Sequence, residues 1–166
     1  FADKSVVDAS EMVSKIRAAV DARQSENCLV IARTDSRAIY GLDHAIERAR
    51  LYAENGADIT FVEAPEGIDE LRRIPLEITC PQLVNVVIGG KTPSLSQQEF
   101  SSMGFGVVLY ANAALQGAMR GMTNALSHLK EHGELKEDLN LVASFEERQN
   151  FVQKPFFDEL DGRYKK

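Results

Sequence analysis

Cysteine is scarce, positive charge is not in excess, and no long apolar run occurs in this 166-residue chain. Cys28 and Cys80 alone cannot build a disulfide scaffold or a four-ligand Cys/His metal knuckle, so a reducing cytoplasm is the expected compartment. With 19 Lys and Arg against 25 Asp and Glu, the net charge is −6. That balance argues against a non-specific nucleic-acid surface, which needs clustered cations to release phosphate counterions. Nothing approaches the roughly 18 apolar residues of a membrane span, so no membrane partner is expected. No Gly-rich phosphate loop follows the first apolar run, which removes the main support for dinucleotide binding. His128 and His132 stand four apart, but Leu rather than Glu follows His128, so the HExxH metal pattern is missing.

What remains is a globular composition, 44 % hydrophobic and 27 % charged, with a regular rhythm. Asp8 and Glu11 predict a capping box at the start of a helix whose stripe is Met12, Ile16, Ala19 and Val20. Cys28–Ala32, Asp58–Ala64, Pro81–Val86 and Gly106–Tyr110 read as short strands. The first is an apolar run without alternation, as expected of a strand buried on both faces of a parallel sheet. Helices are predicted over Leu42–Asn55, Asp69–Ile74, Ser94–Ser102 and Ala113–Glu131. The result is an α(βα)₄ pattern over residues 1–133, in the α/β class.

A doubly wound sheet could use this count, but the polar residues favour a (β/α)₈ TIM barrel. Arg33, Glu63 and Asn85 fall at the carboxyl ends of consecutive strands, where a barrel gathers its site. Such a barrel needs about 250 residues. Four strands leave two unpaired edges, so this chain is expected to be the second half of a barrel completed by an N-terminal half outside it. Residues 134–166 carry Phe145, Phe151, Phe156, Phe157 and Tyr164 at near-helical intervals broken over Asn150–Pro155. They are expected to form a helical arm that packs on a neighbouring subunit.

A guanidinium at the end of an apolar strand costs desolvation unless an anion meets it. Arg33 is therefore expected to hold a substrate carboxylate or phosphonate, the alternative being an ion pair with Asp35 or Glu63. Asp35 and Arg37 are assigned supporting roles behind it. Glu63 either pairs with Arg33 or orients a substrate hydroxyl and takes part in proton transfer. Asn85 has a donor and acceptors with which to orient a carboxylate without adding charge. Gly89, Gly90, Lys91 and Thr92 form a loop whose amides could meet an anion or simply turn. Tyr110 reaches the cavity or packs beside the last helix. His44 is expected to be exposed, Asp58 to be structural, and both cysteines to be buried small hydrophobes.

Met12–Arg23, Ile31-Ala-Arg-Thr-Asp35, Phe61-Val-Glu-Ala-Pro65, Asn85 and Gly89-Gly-Lys-Thr-Pro93, in this order, resemble the isocitrate lyase and phosphoenolpyruvate mutase superfamily. Within it, they resemble the short methylisocitrate lyases, dimethylmalate lyases and oxaloacetate hydrolases. The likeness covers the carboxyl half of such a protein. It implies a barrel whose last helix swaps between subunits of a dimer-of-dimers tetramer. It also implies Mg2+, with Mn2+ as the alternative, held by early-strand acids, and a gate-loop cysteine; both lie outside this chain, which has no metal ligands of its own. By the resemblance, Arg33 clamps one end of a small carboxylate substrate, Glu63 is the strand-end glutamate, and Asn85 binds a carboxylate. Val87 and Ile88 depart from the usual Ser/Thr or Glu, making the distal pocket more apolar. The implied activity is Mg2+-dependent cleavage of a branched 2-hydroxy di- or tricarboxylate to pyruvate, or a related 2-oxo acid, plus a second acid, through an enolate. Oxaloacetate hydrolysis or decarboxylation, phosphonomutase-type chemistry and a non-catalytic structural role are the alternatives.

Overall fold

A computed structural model describes residues 4–165. They divide between residues 113 and 114 into two compact units, so the long fifth helix predicted from Ala113 groups with the second unit, ahead of the expected boundary at 133.

The first unit runs α1 (Ala9–Ala22), β1 (Ile31–Thr34), α2 (Arg37–Tyr40), α3 (Leu42–Glu54), β2 (Ile59–Val62), α4 (Ile68–Glu77), β3 (Gln82–Val87), α5 (Gln97–Met103) and β4 (Phe105–Ala111). The strands form one parallel sheet in the order β1-β2-β3-β4, which is half of a (β/α)₈ barrel wall. Successive side chains alternate between faces, and residues paired in register share a face. Ala32, Val62, Val84 and Val86 therefore point one way. They pack with Val13 and Ile16 of α1, Leu42, Ile46 and Ala49 of α3, Leu71 and Ile74 of α4, and Phe100 of α5. Ile59, Phe61, Leu83 and Val107 form a smaller cluster. By alternation and register this cluster lies on the opposite face, with Arg33, Glu63 and Asn85.

Several expectations change. β1 starts at Ile31 rather than Cys28, and Cys28 is exposed, not buried. The strand is not covered on both sides: Ala32 and Thr34 are buried, while Ile31 and Arg33 are exposed, because helices clothe only one face. Asp8 lies at the N-cap of α1 but makes no side-chain cap bond. The capping boxes are instead Ser96 with Glu99 and Ser144 with Glu147. Pro75 does not end α4, which closes with the Ile78 N–H on the Ile74 carbonyl. His44 is half-buried, hydrogen-bonded through Nδ1 to the fully buried Ser36 and lying beside the Tyr40 ring. Asp58 is structural as expected, accepting the Val30 N–H at 2.7 Å and Arg23 at 2.8 Å.

The second unit contains α6 (Ala113–His132), α7 (Phe145–Phe151) and α8 (Lys154–Tyr164). The break between α7 and α8 is only Val152 and Gln153, with Gln153 at φ 54°. None of these helices has a buried residue; Leu115, Met119, Met122 and Leu126 on α6 are 55–64 % exposed. Among the described residues no helix is long and apolar enough to cross a membrane.

Candidate active site

The carboxyl ends of β1, β2 and β3 gather two polar clusters. The inner one starts at Arg33 on β1, beside Asp35, the first residue past the end of that strand. Arg33 Nε and Nη2 donate to the two Asp35 oxygens at 2.8 and 2.9 Å, a bidentate pair. Lys4 also donates to Asp35. Arg33 Nη2 lies 3.6 Å from Glu63 Oε1, and the guanidinium stands 5.2 Å from the Phe61 ring centre. Burial alone would push the Asp35 carboxyl up, but the hydrogen bonds from Arg33 and Lys4 outweigh it and hold it below the usual range. The hydrogen bond to Asp35 raises Arg33 in turn.

Glu63 is placed by backbone geometry. Its N–H donates to the Thr34 carbonyl at 3.0 Å, carrying the β1–β2 ladder one step past the end of β2. Ala64 then takes φ 56°, a left-handed conformation uncommon outside glycine, and Pro65 follows. That sharp turn leaves Glu63 at the rim of the sheet. Asn85 reaches the same face on β3, since Thr60 pairs with Gln82 and three further steps along each strand end at Glu63 and Asn85. Glu63 Oε2 and Asn85 Oδ1 are both buried and have no hydrogen-bond partner.

The outer cluster ties loops together. Arg37 donates to both Glu70 oxygens at 3.0 and 2.8 Å and pairs with Glu66 at 2.8 Å. Lys91 meets the same Glu66 oxygen at 3.1 Å. The hydrogen bond to Glu70 raises Arg37. Arg37 and Lys91 thus bind each other's acidic partners, not the Arg33 group. In the Gly89–Thr92 loop, Gly89 has φ 77° and the Gly90 amide is taken by the Val87 carbonyl at 2.8 Å, so that amide is not free for an anion. Thr92 is buried.

Tyr110 is on the other side of the sheet. Gln82 pairs with Phe105 but Leu83 with Val107, so Gly106 is an extra residue in β4. One extra residue shifts every later side chain to the opposite face. Tyr110 consequently lies level with Val86 on the helix-side face, away from Asn85. Residues that sequence reasoning passed over include Lys4, Glu66 and Glu70; the i,i+4 spacing of Glu66 and Glu70 beside Pro65 was the one available signal.

Among the described residues, no three His, Cys, Asp or Glu side chains gather to hold a metal. Asp35 is already neutralised by Arg33 and Lys4, and Glu63 has one free oxygen. This donor set does not make a Mg2+ site by itself, which requires several oxygen ligands in octahedral array.

Residues 1–130 match the family described as phosphoenolpyruvate phosphomutase, and the chain belongs to that family. It is 38 % identical over 162 residues to the petal death protein of Dianthus caryophyllus, covering 98 % of this chain and 51 % of that protein. Against 2,3-dimethylmalate lyase of Eubacterium barkeri it is 35 % identical over 161 residues, 97 % of this chain and 56 % of the enzyme. A crystal structure of 2,3-dimethylmalate lyase, described as a PEP mutase/isocitrate lyase superfamily member, superposes with TM-score 0.87 at 32 % identity, over 98 % of this chain and 55 % of that one. Oxaloacetate acetylhydrolase in complex with oxalate superposes with TM-score 0.82 at 26 % identity, covering 96 % and 55 %. The chain spans about half the length of the curated relatives it matches.

Proposed function

We propose that this chain forms the carboxylate-binding rim of a carbon–carbon lyase. The enzyme cleaves a branched 2-hydroxy di- or tricarboxylate to pyruvate, or a related 2-oxo acid, and a second acid through an enolate. The observation that carries this reading is the pair of buried, partnerless acceptors, Glu63 Oε2 and Asn85 Oδ1, on the face that holds the Arg33 guanidinium. A buried acceptor left unmet costs about 1–3 kcal/mol, so the arrangement suits a ligand that brings both a negative charge and a donor. A hydroxy acid brings both.

In this proposal, Arg33 and the Asn85 amide hold carboxylate charge, and Glu63 Oε2 accepts the substrate hydroxyl and orients its proton for removal as the carbon–carbon bond breaks. Asp35 and Lys4 fix the guanidinium plane. Mg2+, with Mn2+ as the alternative, would be held by residues outside this chain and would supply Lewis-acid stabilisation of enolate charge, and the gate-loop base would likewise come from outside this chain. The relatives named as 2,3-dimethylmalate lyase and 2-methylisocitrate lyase support the reaction class. Completion by an N-terminal half-barrel, assembly as a dimer-of-dimers tetramer with the 134–166 arm exchanged between subunits, and a cytoplasmic location belong to the same proposal. Supporting the arm's role are Phe145, Phe151 and Tyr164, which stand 66–89 % exposed.

The test is to incubate the protein that carries this chain, with Mg2+, with 2,3-dimethylmalate, 2-methylisocitrate and oxaloacetate, coupling released pyruvate to a dehydrogenase. Pyruvate from a hydroxy acid is the expected result. Oxalate and acetate from oxaloacetate alone would move the reading to a hydrolase, and no product from any acid would overturn it.

A further inference from the structure

We propose that Arg48 and Tyr52 of α3 line a second binding site, one for a short-chain carboxylate, behind the strand-end cluster. Arg48 is only 6 % exposed, yet its acceptors are neutral: Nε donates to the Tyr52 hydroxyl at 2.9 Å, and Nη2 to the Val7 carbonyl. Its guanidinium carbon lies 5.8 Å from the Tyr52 ring centre. Among the described residues it makes no ion pair, and its Nη1 makes no hydrogen bond. The contrast with Arg23 and Arg37 is sharp, since both are more exposed and both meet carboxylates at 2.8 Å. Nη1 is not among the buried partnerless atoms, so it opens to solvent, and an anion there would meet a guanidinium that has no carboxylate partner among the described residues.

There is room for one. A cavity of about 210 Å³ is lined by Arg48 and Tyr52, by the apolar side chains of Val6, Val7 and Met12, and by the polar Ser5, Thr34, Arg33 and Asp35. Asp35 cannot serve as the counter-ion of Arg48, because its oxygens are already held by Arg33 and Lys4. Arg48 Nη1 and the Tyr52 hydroxyl hydrogen remain as donors for a carboxylate. The apolar wall suits a short aliphatic tail rather than a second charge. The space is many times the roughly 10–15 Å³ that one water needs on this measure, so a short-chain acid fits. Because Arg33 and Asp35 border this cavity and also form the inner cluster, occupancy acts on that pair directly. The inference rests on this cavity alone and not on the lyase reading.

Titration of the protein with butyrate, followed by NMR at Met12 and Tyr52 and by calorimetry, tests it. Saturable binding is expected, weakened about tenfold to a hundredfold by Arg48→Met, the loss of charge-assisted hydrogen bonds. Met12→Trp, which fills the cavity and leaves every charge in place, should abolish it. If Arg48→Met fails to fold, Tyr52→Phe and Met12→Trp carry the test. Absence of saturable binding overturns the site. So does binding that Met12→Trp leaves unchanged, or binding that perturbs Arg33 and Asn85 without Met12 and Tyr52. Butyrate binding without lyase activity would leave this site standing and count only against the proposed reaction.

Discussion

Ala32, Val62, Val84 and Val86 are sealed beneath helices, whereas Ile31 and Leu109, on the opposite face of the same sheet, stand 48 % and 46 % exposed. Over β1 to β3 the helix side has satisfied its apolar surface within this chain, while on the other face only the middle, at Ile59, Phe61 and Leu83, is buried. On the other side the strand ends keep a guanidinium and two acceptors whose bonding capacity is not used up. Packing on the helix face fixes the positions of groups on the other, so the rim of the less covered face is where ligand chemistry is available. The second unit provides a further contrast, since none of its helices has a buried residue.

The largest expected effect lies on the packed face. Phe100, fully buried and edge-on to Phe105 at 5.8 Å, should cost about 3–5 kcal/mol on substitution by Ala, measured by urea unfolding. Phe151→Ala, at a residue 89 % exposed, should change stability by less than about 0.5 kcal/mol in the isolated chain. A larger loss in an assembled form would mark that residue as covered by a neighbour. On the rim, Arg33→Ala should cost about 1.5–3 kcal/mol in kcat/KM, while Arg37→Ala, which unties Glu66 and Glu70, should lower stability more than substrate affinity. Equal effects of the two on affinity would erase the distinction between inner and outer clusters.

Helix ends give smaller effects. Ser96→Ala removes the hydroxyl half of a capping box, leaving the backbone N–H on Glu99, and should destabilise by about 1 kcal/mol in thermal unfolding, whereas Asp8→Ala removes no cap bond and should be near neutral. The subtlest test is the pH dependence of the Asp35 contribution. Its carboxyl is lowered in the folded protein, so the stabilisation is complete above the unfolded value near 3.8 and is lost as pH falls through the lower folded value. The stability difference between the protein and Asp35→Asn should therefore hold steady at neutral pH and shrink below about pH 3.8. A difference that stays flat into the acid range would remove the ion pair from the account.

Much of the architecture was legible. Four apolar runs, each ending in polar residues and followed by a helical stripe, mark the βα units, and their carboxyl ends place Arg33, Glu63 and Asn85 on a common rim. Their shared face follows from alternation, because the register of β1–β2 and β2–β3 leaves no slip between those residues. Tyr110 was not legible because Gly106 shifts β4 by one residue, and a bulge depends on pairing across strands. Lys91 was not legible either: its partner Glu66 is 25 positions away, and a charge pattern alone cannot select among acids at that distance.

The order of strands and helices, the polar strand ends and the acidic balance follow from the amino-acid sequence itself, since they rest on periodicity and composition within a few residues. Which face Tyr110 takes, which carboxylates Arg33 and Arg37 choose, and that Arg48 is enclosed with no ion pair among the described residues were decided only by the tertiary structure. Those outcomes depend on register and on distances between segments far apart in the chain, where a shift of one residue reverses a side chain and a few ångströms determine whether a charge is paired.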